Sequence, residues 1–223
     1  LHRNYNFLND GRIVWMSERS GWHHIYIHSD DGELINQVTN GEWEVKQIVK
    51  VDEVNQKIYF TANKESIFET RFYSVKFDGS ELSLLTNETG SHSVKVLPDG
   101  SAFIDSYSSL TSPSKHVLKD MSGNIIKIIH ETDKSQFELY DWSYPKIIHF
   151  NSTDNTAKLD GIITFPPDYK KGERYPVIVH GYGMPGTQIV NNRWGSTWNQ
   201  YLAQQGYVVF SMDARGMSGR GEA

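Results

Sequence analysis

The sequence has no cysteine. That excludes disulfides, a cysteine nucleophile and thiolate metal sites, and it suits a cytosol or a bacterial periplasm equally. No apolar run approaches the roughly 18 to 20 residues a membrane-crossing helix needs, and the polar opening LHRNYNFLND lacks the layout of a secretory signal. A basic surplus is missing too. Lys and Arg number 22 against 27 Asp and Glu, for a formal net charge of −5. With no Lys/Arg stripe, a phosphate backbone has nothing to grip, which argues against nucleic acid as a partner.

What is present is ordinary for a globular chain of 223 residues, 38% hydrophobic and 22% charged, enough for one large domain or two smaller ones. Aromatics reach 13%, with 12 Tyr and 6 Trp, and such side chains favour pleated, half-buried surfaces. The composition leans towards sheet.

A period runs through the first 140 or so residues. Polar turns precede short β-type runs in NDGRIVW, NQKIYF and PDGSAFI, whose strand starts Ile13, Ile58 and Ala102 are 45 and 44 residues apart. A second turn follows in each unit, in IHSDDGELI, VKFDGSELS and LKDMSGNII, with Gly32, Gly79 and Gly123 separated by 47 and 44. Asp-Gly and Ser-Gly between alternating runs are what a tight hairpin demands, because its central residues need positive φ. Two hairpins per unit make four strands, the blade of a β-propeller. An antiparallel sandwich is the alternative, since its strands also recur at regular spacing. A propeller ring needs about 4 to 8 blades, so three units predict further blades before Leu1.

Near YDWSYPKIIHF the period stops. GIITFPPDY reads as a strand closed by two prolines, and PVIVHGYG as a β-branched strand buried on both faces that runs into a glycine-rich loop. Trp194, Trp198, Tyr201 and Leu202 then fall at i, i+4, i+7 and i+8, the spacing of one face of a helix that ends at Gly206. GYVVFSMDARG is another buried strand. Strand, helix, strand with a glycine-rich loop at the carboxyl end of the first strand is the layout in which open α/β sheets bind ligands. The boundaries predicted are residues 1–145 for about three propeller blades and 146–223 for the amino-terminal part of an α/β-hydrolase domain. The fold class is mainly β.

YPVIVHGYGMPGTQ, WNQYLAQQGYVV and DARGMSGRG together resemble the prolyl oligopeptidase family of serine peptidases. GWHHIYI and TNGEWEV resemble its dipeptidyl peptidase IV branch, bacterial members in particular. The resemblance implies a propeller followed by an α/β-hydrolase domain, and for Tyr182 a hydroxyl that helps to hold the oxyanion of a tetrahedral intermediate. A donor fixed where negative charge develops is worth roughly 2.7 to 4 kcal/mol. Gly181 and Gly183 on either side would let backbone approach. In DARGMSGRG, Asp213 and Arg215 are expected to pair and fix the loop, with Gly216, Gly219 and Gly221 giving turn freedom.

The nucleophile of such an enzyme sits in Gly-x-Ser-x-Gly, followed by Asp and then His. No serine of this chain has that setting. Ser143 in DWSYP has Asp141 and Pro145 where glycines are required and precedes the oxyanion strand; Ser218 has Arg220 two residues on. Chain order therefore predicts Ser, Asp and His beyond Ala223, and a fragment that is inactive alone. His23 and His24 are neighbours in a strand and point apart, so they cannot share a metal. Glu42 and Glu44 are read as blade residues beside a packed Trp43, and His180 as ordering its loop. Under the resemblance, the parent protein is a serine exopeptidase that removes dipeptides, Xaa-Pro preferred, with a peptide as partner, no metal or organic cofactor, and a homodimer allowed. Its location would be periplasmic or secreted, a cytoplasmic one staying open. An acylaminoacyl peptidase, a prolyl oligopeptidase and a noncatalytic propeller binding protein are the alternatives.

Overall fold

A computed structural model of the chain describes residues 5–221, apart from the side chain of Glu138. The expectations that turn on Leu1 and Ala223 fall outside the described residues. The chain clusters into two compact units: residues 1–107, 116–130 and 219–223 form one, and residues 108–115 and 131–218 the other.

The first unit is built from four-stranded sheets that follow one another along the chain. β1 (Tyr5–Phe7), β2 (Ile13–Ser17), β3 (His24–His28) and β4 (Leu34–Gln37) pair in sequence order. So do β5 (Val45–Asp52), β6 (Lys57–Ala62), β7 (Arg71–Lys76) and β8 (Ser83–Leu84). β9 (Ser91–Val96), β10 (Ala102–Ser109), β11 (Ser112–Asp120) and β12 (Ile125–Glu131) repeat the order, with the tip of the β10–β11 hairpin clustering with the second unit. These are blades of the expected size and spacing.

The turns explain the spacing. Gly11, Gln56 and Gly100, each two residues before a predicted strand start, have φ of 90°, 52° and 74°, and Gly32, Gly79 and Gly123 have φ of 90°, 84° and 88°. These are left-handed conformations that glycine adopts without steric cost. Two of the glycines do more. A Cβ on Gly79 would lie 3.0 Å from the carbonyl oxygen of Val38, and one on Gly123 only 2.4 Å from that of Leu85, so each hairpin tip closes on the last strand region of the preceding blade. Gly32 has open space around it.

The blades stack through alternate side chains of the same strands. Ile58 and Phe60 of β6, with Tyr73 and Val75 of β7, join Val14, Ile25 and Ile27 of the first blade in one core. Tyr59 and Phe72, on the opposite face of the same two strands, join Phe103 of the third blade in another. Period-2 alternation thus makes one sheet half of two cores. A side-chain bond recurs as well. The amide of Ile25 donates to Thr39 Oγ1 and that of Phe72 to Thr86 Oγ1, both at 2.9 Å.

In the second unit a short helical turn, α1 (Ser135–Glu138), precedes a sheet of β13 (Lys146–Asn151), β14 (Lys158–Thr164), β15 (Val177–Gly181) and β16 (Val208–Met212) in the order β13-β14-β16-β15. β15 and β16 are parallel, from Val177 opposite Val208 to Gly181 opposite Met212. The helix α2 (Thr197–Gln204) supplies the crossover that parallel neighbours require. Gly161 of β14 is needed for close packing, since a Cβ there would lie 2.4 Å from the Phe210 ring.

One expectation fails here. β15 is not buried on both faces: it is the outer strand, with Val177 57% and Val179 63% exposed. Trp198 and Tyr201 share a face of α2, and it is the outward one. They are exposed and stack on each other, while Gln200 and Ala203 point inward. Apolar spacing marks a face that can be covered; the covering element decides whether it is. Trp194 lies before the helix, stacked flat on Trp142 at 5.1 Å with Phe137 against both. The buried Gln200 is possible because its amide grips the backbone of Ser143, accepting from the amide at 3.0 Å and donating to the carbonyl at 2.6 Å. The helix does stop at Gly206, φ 86°, in a Schellman arrangement with the amide of Tyr207 on the carbonyl of Leu202.

Candidate active site

β15 carries the chain to Gly181, and Tyr182 is the first residue beyond its carboxyl end. The loop turns through Gly183 and Gly186, φ 67° and 75°, and the stretch from Tyr182 to Gly186 is exposed. The phenol of Tyr182 is 59% exposed. Neither Gly181 nor Gly183 has an atom within 4 Å of an added Cβ, so close approach does not explain these glycines in this chain. Positive φ explains Gly183.

The far end of the loop is tied down. Asp213, 1% exposed directly after β16, accepts the amides of Ile189 and Val190 on one carboxylate oxygen at 2.8 and 3.2 Å. The amide of Ser218 donates to the carbonyl of Thr187 at 3.0 Å. The expected Asp213–Arg215 pair is therefore not formed. Arg215 instead reaches both carboxylate oxygens of Asp154, at 2.9 and 3.0 Å, in the β13–β14 turn. Asp213 stands at the buried end of a strand facing unsatisfied amides, whereas Arg215 is on an exposed loop and finds an exposed acid. The Asp154 carboxyl is held well below its ordinary value by hydrogen bonds from Ser152 and Thr156, with Arg215 adding to them. Gly216, Gly219 and Gly221 do supply turn freedom, with φ of 83°, 97° and 71°.

His180 is exposed and lines an open pocket of about 310 Å³ together with Thr164, Trp194, Trp198, Gln200 and Ser211. Ser143 is fixed by Gln200 through its backbone, as described above. Ser218 uses its amide to hold the loop.

In the blades, His24 is buried, with Nδ1 3.1 Å from Thr39 Oγ1 and Nε2 2.9 Å from the carbonyl oxygen of Gly41. Burial lowers its pKa. It is part of the structure, as expected, and its ring meets Trp43 edge-on at 4.8 Å. Glu42 and Glu44 immediately precede β5, on either side of the buried Trp43. Glu44 is half-buried. Burial pushes its carboxyl up, but the Lys46 ammonium at 2.6 Å and the amides of Gly219 and Gly221 outweigh this and hold it below the ordinary value.

One charged cluster gave no sequence signal. Glu88, His92 and Asp105 offer ligand atoms that all lie within 4.8 Å of one another. Lys119, 1% exposed, puts its ammonium 2.5 Å from Glu88 and 3.1 Å from Asp105, and His92 Nδ1 is 2.9 Å from Asp105. A cation of the chain already lies between the carboxylates, and the geometry is that of a buried ion-pair network.

These features define a class: propeller blades followed by the first strands and helix of an α/β-hydrolase sheet. The family model described as "Dipeptidyl peptidase IV (DPP IV) N-terminal region" matches residues 1–114, or 114 of 223, and the chain belongs to that family. It is 32% identical over 217 residues to a dipeptidyl peptidase 4 of Arthroderma otae, covering 93% of the chain and 28% of that protein. To a dipeptidyl peptidase 4 of Trichophyton rubrum it is 31% identical with the same coverage. The crystal structure of Porphyromonas gingivalis dipeptidyl peptidase 4 superposes with a TM-score of 0.89 at 24% identity, over 98% of this chain and 31% of that one, which shows the shared fold. The chain thus spans less than a third of the length of the curated relatives it matches.

Proposed function

We propose that this chain is part of a serine exopeptidase that releases dipeptides, preferably Xaa-Pro, from the amino termini of peptides. The observation that carries the reading is Tyr182, presented at the carboxyl end of β15 on a loop tied to the neighbouring strand, in a chain of the dipeptidyl peptidase IV family. Its hydroxyl would donate to the oxyanion that forms when a serine attacks the scissile carbonyl, a role that needs a donor already in place. Acyl transfer to the serine and then to water completes the reaction with no metal or organic cofactor. The 223 residues hold no Gly-x-Ser-x-Gly, so by themselves they do not hydrolyse peptides. Residues 1–145 are the propeller part and 146–223 the hydrolase part of this scheme, and the full-length protein pairs as a homodimer.

The test is made on the full-length protein from its natural source. Fluorophosphonate labelling together with hydrolysis of glycyl-prolyl-p-nitroanilide is the expected result. Folded protein that takes no label and cleaves no such substrate overturns the proposal and favours a noncatalytic propeller protein.

A further inference from the structure

We propose that Asp213 is a positioning residue, whose buried carboxylate closes the loop from Tyr182 to Val190 and so sets where the tyrosine hydroxyl points. This rests on Tyr182 being the oxyanion donor. The ladder between β15 and β16 ends at Gly181 opposite Met212. Tyr182 and Asp213 are therefore the next residue on each of two paired strands. From there the loop leaves the sheet through five exposed residues, 182–186, two of them glycines at positive φ, a stretch with no regular backbone ladder of its own.

A mobile loop cannot hold a donor in place, and a preorganised donor is the whole value of an oxyanion site. Closure comes from the β16 side. Asp213 takes two consecutive amides, Ile189 at 2.8 Å and Val190 at 3.2 Å, while Val190 itself is fully buried. Ser218 adds its amide to Thr187 at 3.0 Å, and Thr187 Oγ1 donates to the carbonyl of Met184 at 2.5 Å. A chain of bonds thus runs from Asp213 and Ser218 back towards Tyr182. Arg215 helps by its absence: bound to Asp154, it leaves the Asp213 carboxylate to the amides.

The experiment is a double-mutant cycle in the full-length protein with Tyr182→Phe and Asp213→Ala, read as kcat and KM separately. Asp213→Ala is expected to lower kcat about tenfold or more with KM changed less than about twofold, and to cost almost nothing further when Tyr182 is already Phe. Asp213→Asn keeps an oxygen that can accept both amides and should recover most of the loss. Equal fold losses in both backgrounds, or no loss in Asp213→Ala while Tyr182→Phe is crippled, would overturn the clamp. An unchanged kcat in Tyr182→Phe is a different failure, that of the functional reading itself. Hydrogen exchange on the unmutated protein tests the clamp without any variant: the amides of Ile189 and Val190 should exchange at least about a hundredfold more slowly than those of Gly183 and Met184. Similar rates contradict it.

Discussion

Strand β6 has a blade on each face, with Phe60 in one core and Tyr59 in the next, whereas β15 is the outer strand of its sheet, with Val177 and Val179 open to solvent. Both are short apolar strands. The difference is in how each unit covers its surface. A blade of about 45 residues is covered by the blade before it and the blade after it, so its core closes within a short stretch of chain. An α/β sheet is covered by helices and further strands from distant sequence, and within this chain β15 and α2 have few such partners. Burial in the first unit is a local property and in the second a long-range one.

That contrast can be broken by mutation. Phe60→Ala and Phe103→Ala each remove a ring with no exposed surface and should cost about 3 to 5 kcal/mol. Val179→Ala in the same chain should stay within roughly 0.5 kcal/mol. Urea unfolding measures both, and similar losses would mean that β15 is covered after all.

A finer version separates the repeated glycines. Gly123→Ala combines a left-handed backbone with a backbone carbonyl 2.4 Å from the new methyl and should cost more than about 2 kcal/mol, whereas Gly32→Ala, with the same φ and open space, should cost about 1 to 2. If the two losses match, the hairpin tips do not hold the blades together.

A smaller contrast is electrostatic. Glu44 titrates below its ordinary value in the folded chain, because Lys46 and the Gly219 and Gly221 amides outweigh the cost of its burial. A depressed carboxyl contributes stability above its unfolded pKa, near 4.5, and that contribution is lost as pH falls through the folded value. Glu44→Gln should therefore destabilise by about 1 kcal/mol at pH 7 and show a shallower loss of stability below pH 4.5. An unchanged acid limb would remove Glu44 from the account.

The same division governs what the sequence reveals. Hairpins were legible because a tight turn needs positive φ at one residue and glycine usually supplies it; at Gln56, φ 52°, no glycine marks the turn and only the period of the strand starts does. The stop at Gly206 was legible for the same reason. The exposure of Trp198 and Val179 was not, since spacing shows which side chains share a face and says nothing of what lies against it. Asp213 and Arg215 are two residues apart and of opposite charge, yet each is bonded to a distant stretch of chain, Asp213 to the loop at Ile189 and Val190 and Arg215 to the β13–β14 turn at Asp154. The network of Glu88, His92, Asp105 and Lys119 draws on residues spread over 88–119, and only the folded blade brings them together. In the candidate site, Tyr182 came from the motif around it and its clamp came from the structure.

The most direct test of the central claim is the kcat of Tyr182→Phe in the full-length protein, acting on glycyl-prolyl-p-nitroanilide. Removing one hydroxyl from an exposed loop should leave the melting temperature unchanged. If that hydroxyl holds the oxyanion, kcat falls by about 10²- to 10³-fold while fluorophosphonate still labels the serine slowly. A kcat equal to that of the unmutated enzyme would contradict the account and reduce Tyr182 to a surface residue at the end of a strand.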